Sequence, residues 1–429
     1  MENRYDKYKD SGIAWIGEIP VHWEVKRLKN VSDFNPQNDQ SISNFSEVGY
    51  LPMERLKNGY MLPSVINVCN LTQGLTFFKD NDIVMAKVTP CFENGNIAIA
   101  KNLINNCGFG SSELFIFRVR SINRKYFFYL LQEEKIKEVC KSTMTGTGGL
   151  KRISPTFMRN LLLPIPQTLE QQSIATYLDQ KCGEIDELIT LQEEMITKLQ
   201  SYKQSVITEA VTKGLDKNVP LKDSGIEWIE AIPEHWNTYQ LKRCSKFING
   251  YAFNSNHFNK DKGIPVIRIG DILNEQISFE NIVYVQENNE LEKFIVHKND
   301  ILIAMSGATV GKIGVYCSND KVYINQRVGI IRVTQYNYIK RMFSTNGFID
   351  YINLSSAGSA QANISSDGIL NFYIPVPPIN EQQSIADYLD QKCSEIDELI
   401  SIKQQKIEKL KDYKKSLIFE CVTGKRKVS

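Results

Sequence analysis

The sequence contains no apolar run long enough to cross a bilayer. A transmembrane helix needs roughly 20 consecutive apolar residues, and polar residues interrupt every apolar stretch of this 429-residue chain well before that length. Residues 1–10 are charged and aromatic, whereas a secretory signal needs an apolar core. We therefore expect a cytoplasmic protein that does not associate with membranes.

Cysteine and histidine do not occur in metal-binding or disulfide patterns. The nine cysteines are dispersed without a CxxC pair, and the four histidines are scattered along the chain. Neither a disulfide framework nor a zinc site fits such spacing. We predict isolated buried thiols and no metal site.

Motifs that mark catalytic sites are absent as well. The chain has no GxxxxGKS/T phosphate loop, no HExxH zinc motif and no GxSxG nucleophile elbow. Asp82 and Lys87 resemble half of a nuclease site, but the matching stretch around Asp300 continues without a lysine. The totals of 51 basic and 49 acidic residues nearly balance, so charge alone does not identify a nucleic-acid binder. We predict a non-catalytic chain.

An internal repeat is the main feature that is present. Residues 170–189 (EQQSIATYLDQKCGEIDELI) return at residues 381–400 with two differences, and residues 9–23 (KDSGIAWIGEIPVHW) return in related form at residues 222–236. The offsets of 211 and 213 residues indicate two copies of one unit. Each copy runs from a KDSGI segment through a variable stretch to a conserved helix.

The repeat predicts four consecutive parts. Residues 1–165 form a first variable domain, residues 166–213 a first conserved helix, residues 214–376 a second variable domain and residues 377–424 a second conserved helix. The VTG sequence that ends the second helix matches the VTKG sequence that leads into the second KDSGI segment. We therefore expect the end of the second helix to meet the first KDSGI segment, in a cyclic arrangement with pseudo-twofold symmetry.

Both conserved helices carry an apolar stripe with spacings of three and four residues. Such a stripe needs a partner helix, and the duplicate is the obvious one. Prolines before each helix predict where the helices begin, and Gly214 and Gly424 predict where they end. The predicted helix-pairing residues are Leu178, Ile185, Leu188 and Leu199 on the first helix and Leu389, Ile396, Leu399 and Leu410 on the second.

The variable stretches share strands but differ in their loops. FKDNDIVMAKV at residues 78–88 and VHKNDILIAMS at residues 296–306 both place an Asn-Asp turn before an apolar strand. Loops that differ on a shared scaffold are expected to carry binding specificity.

Small residues let backbone amides approach an anion, basic residues neutralise phosphates, and amide side chains pair with base edges. An ordinary surface loop is the competing interpretation of each segment. The candidate DNA-binding residues are Lys87, Thr89, Asn94, Ser111, Ser112, Thr145, Thr147, Lys151, Arg152, Ser306, Thr309, Lys312, Asn325, Gln326, Arg327, Gln361 and Asn363.

The two IPxHW segments, the two EQQSIAxYLDQK helices and the GTGGLKRIS loop make the chain resemble the specificity subunit of type I restriction-modification systems. The resemblance covers essentially the whole chain. It implies an α+β fold with two tandem-duplicated α/β target-recognition domains, each followed by a long helix, and with the two helices forming an antiparallel coiled coil. It also implies that each domain reads one half of a bipartite site in double-stranded DNA. Because the loops of the two domains differ, the implied target is asymmetric.

The same resemblance implies partners for the chain. Two methyltransferase subunits would dock on the helices, and restriction and translocase subunits would join them. Adenine-N6 methylation and DNA cleavage would then arise only in the complex, with S-adenosylmethionine, ATP and Mg²⁺ bound by the partners and no cofactor in this chain. The second loop, SAQANIS, lacks the basic pair of GLKRIS, so Lys312 or Arg327 is expected to supply its phosphate contact.

Two other functions compete with DNA recognition. A bivalent protein-interaction scaffold would bind a protein in a salt-insensitive way and would have no affinity for duplex DNA, whereas phosphate contacts make DNA affinity fall steeply with salt. An autonomous nuclease would cleave DNA as an isolated chain in the presence of a metal ion.

Overall fold

The structure is a computed structural model that describes residues 4–37, 45–147, 149–273, 275–356 and 362–428. Its contacts divide the chain into two compact units, the first made of Met1–Gln192 with Gln405–Ser429 and the second of Glu193–Gln404. Each unit therefore combines one variable domain with part of both conserved helices. None of the helices in the described ranges is long and apolar enough to cross a membrane.

The first unit contains two four-stranded sheets. One has the order β4-β11-β8-β9 with antiparallel neighbours, and the other has the order β6-β5-β10-β7, in which β5 and β10 are parallel. The strands are β1 (Tyr8–Asp10), β2 (Glu18–Pro20), β3 (Glu24–Arg27), β4 (Ser32–Phe34), β5 (Glu47–Leu51), β6 (Ser64–Asn67), β7 (Thr76–Lys79), β8 (Ile83–Ala86), β9 (Ile97–Ile99), β10 (Cys107–Gly110), β11 (Leu114–Val119) and β12 (Leu162–Ile165). The shorter helices are α1 (Leu28–Val31), α2 (Arg124–Gln132), α3 (Glu134–Ser142) and α4 (Pro155–Asn160).

Strand β8 is buried on both faces because its side chains alternate between two cores. Ile83 and Met85 belong to the core that includes α2 and the start of the first conserved helix, while Val84 and Ala86 belong to the core between the two sheets. Successive side chains of a strand point to opposite faces. This is why the continuous apolar run IVMA forms a central strand.

The second unit repeats this plan. Its larger sheet has the order β16-β24-β21-β22, and a three-stranded sheet, β20-β17-β23, contains the parallel pair β17 and β23. Its strands are β13 (Leu221–Asp223), β14 (Ala231–Pro233), β15 (Asn237–Gln240), β16 (Lys246–Asn249), β17 (Ile264–Ile267), β18 (Ile272–Leu273), β19 (Gln276–Ile277), β20 (Val283–Val285), β21 (Ile301–Ala304), β22 (Ile313–Val315), β23 (Tyr323–Ile324), β24 (Val328–Arg332) and β25 (Tyr373–Val376). Its shorter helices are α6 (Tyr336–Met342), α7 (Asn346–Ser356) and α8 (Ser366–Leu370).

The two predicted conserved helices are confirmed as α5 (Thr168–Lys213) and α9 (Ile379–Val422). At the start of each helix, a glutamine side chain donates a hydrogen bond to a proline carbonyl. The distance is 2.8 Å from Gln171 to Pro166 and 2.7 Å from Gln382 to Pro377. Gly214 and Gly424 follow the two helices with φ of 76° and 72°, the left-handed conformation that favours glycine after a helix.

The two long helices pack against each other within each unit. In the first unit, Lys414 pairs with Asp186 at 2.7 Å, and Lys203 pairs with Asp397 at 2.7 Å in the second. These are equivalent residues of the repeat. In the first unit Tyr177 contacts Arg426, just beyond α9, so residue numbers rise along one helix as they fall along the other. The predicted antiparallel pairing is confirmed.

The end of α9 meets the first KDSGI segment, as the repeat predicts. The Tyr8 hydroxyl donates to the Gly424 carbonyl at 3.1 Å, and the Lys425 ammonium donates to the Glu18 carbonyl at 2.6 Å. A Cβ atom on Gly424 would lie 2.4 Å from Pro20 Cδ. Glycine is therefore needed at this contact for space as well as for its positive φ.

Candidate nucleic-acid interface

A buried ion pair fixes the base of the corresponding loops in both units. Asn81 and Asn299 have φ of 74° and 72° and turn the chain into β8 and β21. The next residue, Asp82, is paired with Arg118 at 2.9 and 2.7 Å. Its counterpart Asp300 is paired with Arg332 at 2.8 and 2.6 Å. Two parallel hydrogen bonds to each carboxylate satisfy a charge that would otherwise be costly to bury.

This pairing removes the basis for a nuclease site at Asp82 and Lys87. Both carboxylate oxygens of Asp82 accept from Arg118, whereas the Lys87 ammonium donates to the Ser112 carbonyl at 2.7 Å. In the described part of the chain, no group of three or more histidine, cysteine, aspartate or glutamate side chains is arranged to hold a metal ion. Asp82 is a structural residue at the start of β8.

In the first unit, the loop that follows β8 is joined to the GTGGLKRIS loop. The Thr89 amide donates to the Lys151 carbonyl at 3.0 Å, and the Lys151 amide donates to the Thr89 hydroxyl at 2.9 Å. The Thr89 hydroxyl donates in turn to the Gly149 carbonyl at 2.7 Å. Asn94 lies in the same post-β8 loop and is exposed. Two segments about 60 residues apart in sequence thus form one surface.

The segment before β11 joins the same surface. The Lys87 amide donates to the Glu113 carbonyl at 3.0 Å, and Ser111 and Ser112 directly precede Glu113. The Glu113 carboxylate accepts from the Arg152 guanidinium at 2.9 and 3.0 Å. Hydrogen bonding from Arg152 holds the pKa of Glu113 below its ordinary value. We define these segments, residues 87–94, 111–113, 145–147 and 149–152, as loop cluster 1.

The predicted residues of loop cluster 1 have different surroundings. Thr89 is buried and used in loop-to-loop hydrogen bonds, and the charge of Arg152 is matched by Glu113. The exposed residues are Asn94, Ser112, Thr145, Thr147, Lys151 and Arg152, while Lys87 and Ser111 are partly exposed. No ion pair to Lys151 occurs within the described ranges. Lys151 is therefore the cation of this cluster best placed to meet an anion.

The second unit brings its predicted residues together in the same way. The Gly307 amide donates to the Ala362 carbonyl at 2.8 Å, and the Met305 amide donates to the Arg327 carbonyl at 2.9 Å. Ser306 and Asn363 form an antiparallel bridge. We define residues 306–312, 325–327 and 362–363 as loop cluster 2. Gln361, the remaining predicted residue, lies outside the described residues.

Loop cluster 2 differs from loop cluster 1 in its side chains. Lys312, Gln326, Arg327 and Asn363 are exposed, and Ser306, Thr309 and Asn325 are partly exposed. Among the residues that the structure describes, no ion pair engages Lys312 or Arg327. The sequence predicted one of these two cations as a phosphate contact for the second domain, and the geometry leaves both available.

Sequence reasoning missed Tyr251, which lies beside loop cluster 2. Tyr251 forms a parallel bridge with Asn325, and its amide donates to the Ile324 carbonyl at 3.1 Å. Its side chain is 41% exposed. The GYAF sequence at residues 250–253 was the available signal, because a glycine that follows a strand pattern often marks a close backbone approach.

The predicted helix-pairing residues divide into three groups by burial. Leu178, Ile185, Leu389 and Ile396 are buried, and Leu199 and Leu410 are partly buried. Leu188 and Leu399 are 42% and 46% exposed, so these two do not belong to the buried seam of the chain. Their positions in the repeat are equivalent, and the helix stripe is wider than the face that a single partner helix covers.

The thiols match the expectation of isolated cysteines in part. All nine cysteines are free, but Cys69 and Cys317 are exposed. Burial raises the pKa of Cys140 to about 12 and that of Cys182 to about 11. These two thiols are therefore protonated and unreactive near neutral pH.

The two domains share one fold and differ in their loop clusters. Comparison with known proteins agrees with this arrangement. A family model described as Type I restriction modification DNA specificity domain matches residues 20–200 and 233–412. The chain belongs to this family. Both copies of the domain lie in one polypeptide, as the internal repeat predicts.

Known proteins of similar sequence are specificity subunits of type I restriction enzymes. The EcoAI specificity subunit of Escherichia coli is 24% identical over 481 residues, which cover 90% of this chain and 81% of that protein. The MjaVIII specificity subunit of Methanocaldococcus jannaschii is 25% identical over 426 residues, covering 96% and 94%.

Solved structures show the same fold. A chain from a structural study of the assembly and conformational transition of a type I R-M system aligns with a TM-score of 0.77 at 18% identity, over 94% of this chain and 98% of that one. The HsdS subunit from Thermoanaerobacter tengcongensis aligns with a TM-score of 0.55 at 18% identity, over 95% and 98%. The predicted α+β fold with duplicated recognition domains is confirmed.

Proposed function

We propose that this chain is the subunit of a type I restriction-modification complex that reads an asymmetric, bipartite DNA sequence. The observation that carries this proposal is the pair of loop clusters, which occupy equivalent strand ends but differ in side chains. Two domains that share a fold but differ in their loops are suited to recognising two different half-sites. The similarity to specificity subunits over nearly the full length supports the same function.

Each loop cluster offers the two kinds of contact that DNA recognition needs. The exposed cations Lys151, Lys312 and Arg327 would neutralise phosphates, and phosphate contacts fix the position of a protein on the duplex. The exposed amides Asn94 and Gln326 would pair with base edges in the major groove, where each base pair presents a distinct pattern. Cluster 1 would therefore read one half-site and cluster 2 the other.

The chain would act without catalysing a reaction itself. Two methyltransferase subunits would dock on α5 and α9, whose exposed apolar residues include Leu191, Met195 and Ile402. Restriction and translocase subunits would join this assembly. The partners would supply S-adenosylmethionine, ATP and Mg²⁺ for adenine-N6 methylation and DNA cleavage, in the cytoplasm.

Methylation mapping tests the proposed function directly. The chain is expressed with its methyltransferase partner in a host that lacks adenine methylation, and modified adenines are located by genome sequencing. We expect methylation at a two-part sequence with a fixed gap, and no methylation when the partner is expressed alone. Methylation that does not depend on this chain would refute the proposal.

A domain exchange tests the division of labour between the clusters. Residues 24–165 are replaced by the corresponding residues of another family member. We expect one half of the methylated sequence to change and the other half to persist. If both halves change together, each cluster does not read its own half-site.

Salt dependence separates DNA recognition from a protein-interaction scaffold. Each phosphate contact releases counterions, so DNA affinity should fall steeply as salt rises. The substitution Lys151→Ala should reduce the slope of log K against log salt by about one. A scaffold without DNA binding predicts no duplex affinity at any salt concentration.

A further inference from the structure

The backbone of residues 250–251 is closely attached to loop cluster 2. The Gly250 amide donates to the Val328 carbonyl at 3.0 Å, and Tyr251 bridges Asn325. A Cβ atom on Gly250 would lie 2.1 Å from the Asn325 carbonyl oxygen. Only glycine permits this approach, so the position of Tyr251 beside the cluster is fixed by the backbone.

The Tyr251 ring is supported on one side by other aromatic rings. Its centroid lies 5.0 Å from that of Phe253 in an edge-to-face contact and 5.2 Å from that of Phe294. Phe253 also contacts Tyr323, which is buried in the small sheet of the second unit. Aromatic contacts of this kind stabilise a fixed ring orientation. These contacts favour the observed orientation of the Tyr251 ring.

The remaining part of the Tyr251 side chain faces solvent beside exposed polar residues. The side chain is 41% exposed, and its hydroxyl makes no hydrogen bond within the described ranges. Gln326 and Arg327, which follow the bridging Asn325, are exposed. The Lys293 ammonium lies 4.9 Å from the centroid of the Phe294 ring. An exposed aromatic ring on a surface that also carries cations and an amide is a combination typical of nucleic-acid contacts.

We propose that Tyr251 contacts the DNA half-site that loop cluster 2 reads. Its exposed ring would lie against the nucleotides, and its hydroxyl would donate to the DNA backbone. This inference rests on the proposed function and names a contact that deepens it. Tyr251 would add an aromatic ring to a site where the exposed side chains of Gln326 and Arg327 offer polar contacts.

The test compares three variants in the complex assembled with the methyltransferase partner. Tyr251→Ala removes the ring and hydroxyl. Tyr251→Leu keeps an apolar side chain against Phe253 and Phe294, so that folding is preserved. The matched control is Tyr373→Ala, because Tyr373 is 40% exposed on β25, which forms a two-stranded sheet with β15. Equilibrium affinity is measured for a duplex that contains the target sequence identified by methylation mapping, and for duplexes in which either half-site is scrambled. Thermal unfolding confirms that each variant is folded.

We expect both Tyr251 variants to bind the target about 10-fold more weakly, the effect of losing one aromatic contact to nucleic acid. Scrambling the half-site that loop cluster 2 reads should then reduce the affinity of these variants less than it reduces the affinity of the wild type. Scrambling the half-site that loop cluster 1 reads should reduce the affinity of the variants and of the wild type equally. Tyr373→Ala should bind within about twofold of the wild type. The outcome supports a DNA contact because a general loss of stability would weaken both half-sites.

Two results would overturn the inference, and they differ in meaning. If the wild type prefers its target and folded Tyr251→Leu binds equally well, Tyr251 makes no DNA contact while the proposed function stands. If the wild-type complex shows no preference for any duplex, the proposed function and this inference both fail.

Discussion

A buried aspartate paired with an arginine anchors the central strand of each unit. Asp82 and Asp300 are each 2% exposed, and each accepts two hydrogen bonds from one guanidinium. Hydrogen bonding to Asp300 raises the pKa of Arg332. The repetition of this pair, while neighbouring loop residues differ, indicates a structural role for it.

Removing the arginine from this pair should destabilise the domain strongly. Arg118→Met leaves a buried carboxylate without its partner, which costs about 3 kcal/mol. The control is Arg120→Met in the same domain, whose partner Asp33 is 45% exposed, and an exposed pair contributes about 1 kcal/mol or less. Urea denaturation of both variants measures the difference. Equal losses would show that the Asp82 pair is no more important than a surface contact.

Another buried carboxylate, Glu133, lies at the start of α3, and no cation pairs with it among the residues that the structure describes. It is 4% exposed, and its side chain accepts from the Ile136 amide at 3.0 Å. Desolvation raises the pKa of Glu133 above its ordinary value. A carboxyl group whose pKa is raised by folding reduces stability at any pH where the unfolded chain is ionised.

Replacing Glu133 with glutamine should therefore stabilise the protein at neutral pH. Glu133→Gln keeps an acceptor oxygen for the Ile136 amide and removes the charge. The gain in the free energy of unfolding should be present at pH 7 and should disappear as the pH falls below the unfolded pKa of 4.5. The exposed neighbour Glu134 forms an ion pair with Lys137, so Glu134→Gln should give no gain. Denaturation curves between pH 4 and 7 measure both. A Glu133→Gln variant that is less stable at pH 7 would contradict this prediction.

The elements show which parts of the fold can be predicted from sequence. The spacing of three and four residues in α5 and α9 and the glycines that follow them predict both helices, because these signals are local. The same spacing does not tell which apolar residues are covered. Leu178 and Leu188 both fit the stripe, yet only Leu178 is buried, because its burial depends on the recognition domain that packs on that end of α5.

Substitutions on α5 should reproduce this difference in burial. Leu178→Ala removes a fully buried side chain, so it should reduce the free energy of unfolding by about 3 kcal/mol. Leu188→Ala removes a side chain that is 42% exposed and should cost about 1 kcal/mol or less. Denaturation of the isolated chain measures both losses. Similar large losses would mean that Leu188 is part of the seam.

The candidate site was predictable in outline because of the repeat. Aligning the two copies separates shared strands from dissimilar loops, and the structure brings those loops together at the ends of β8 and β21. The roles of single residues were not predictable. The Thr89 hydroxyl is used within the loops, and Tyr251 reaches Asn325 from 74 residues away in sequence. Such contacts depend on strand pairing, which a single sequence does not specify.

At the scale of the whole molecule, each long helix passes from one compact unit to the other. The boundary falls between Gln192 and Glu193 in α5 and between Gln404 and Gln405 in α9. Each unit carries one loop cluster. Under the proposed function, the length of these helices would then set the gap between the two half-sites.

Lengthening both helices by one heptad at these boundaries tests this relation. Seven residues add about 10 Å of helix and keep the apolar stripe nearly in phase, and about 10 Å corresponds to three base pairs. We expect methylation at the same two half-sites with about three more bases between them, mapped by genome sequencing of the modified adenines. The control inserts four residues into α5 alone, so that the Asp186–Lys414 and Lys203–Asp397 pairs can no longer form together, and it should reduce methylation at both spacings. A heptad variant that remains active at the original spacing would show that the helices do not set the gap.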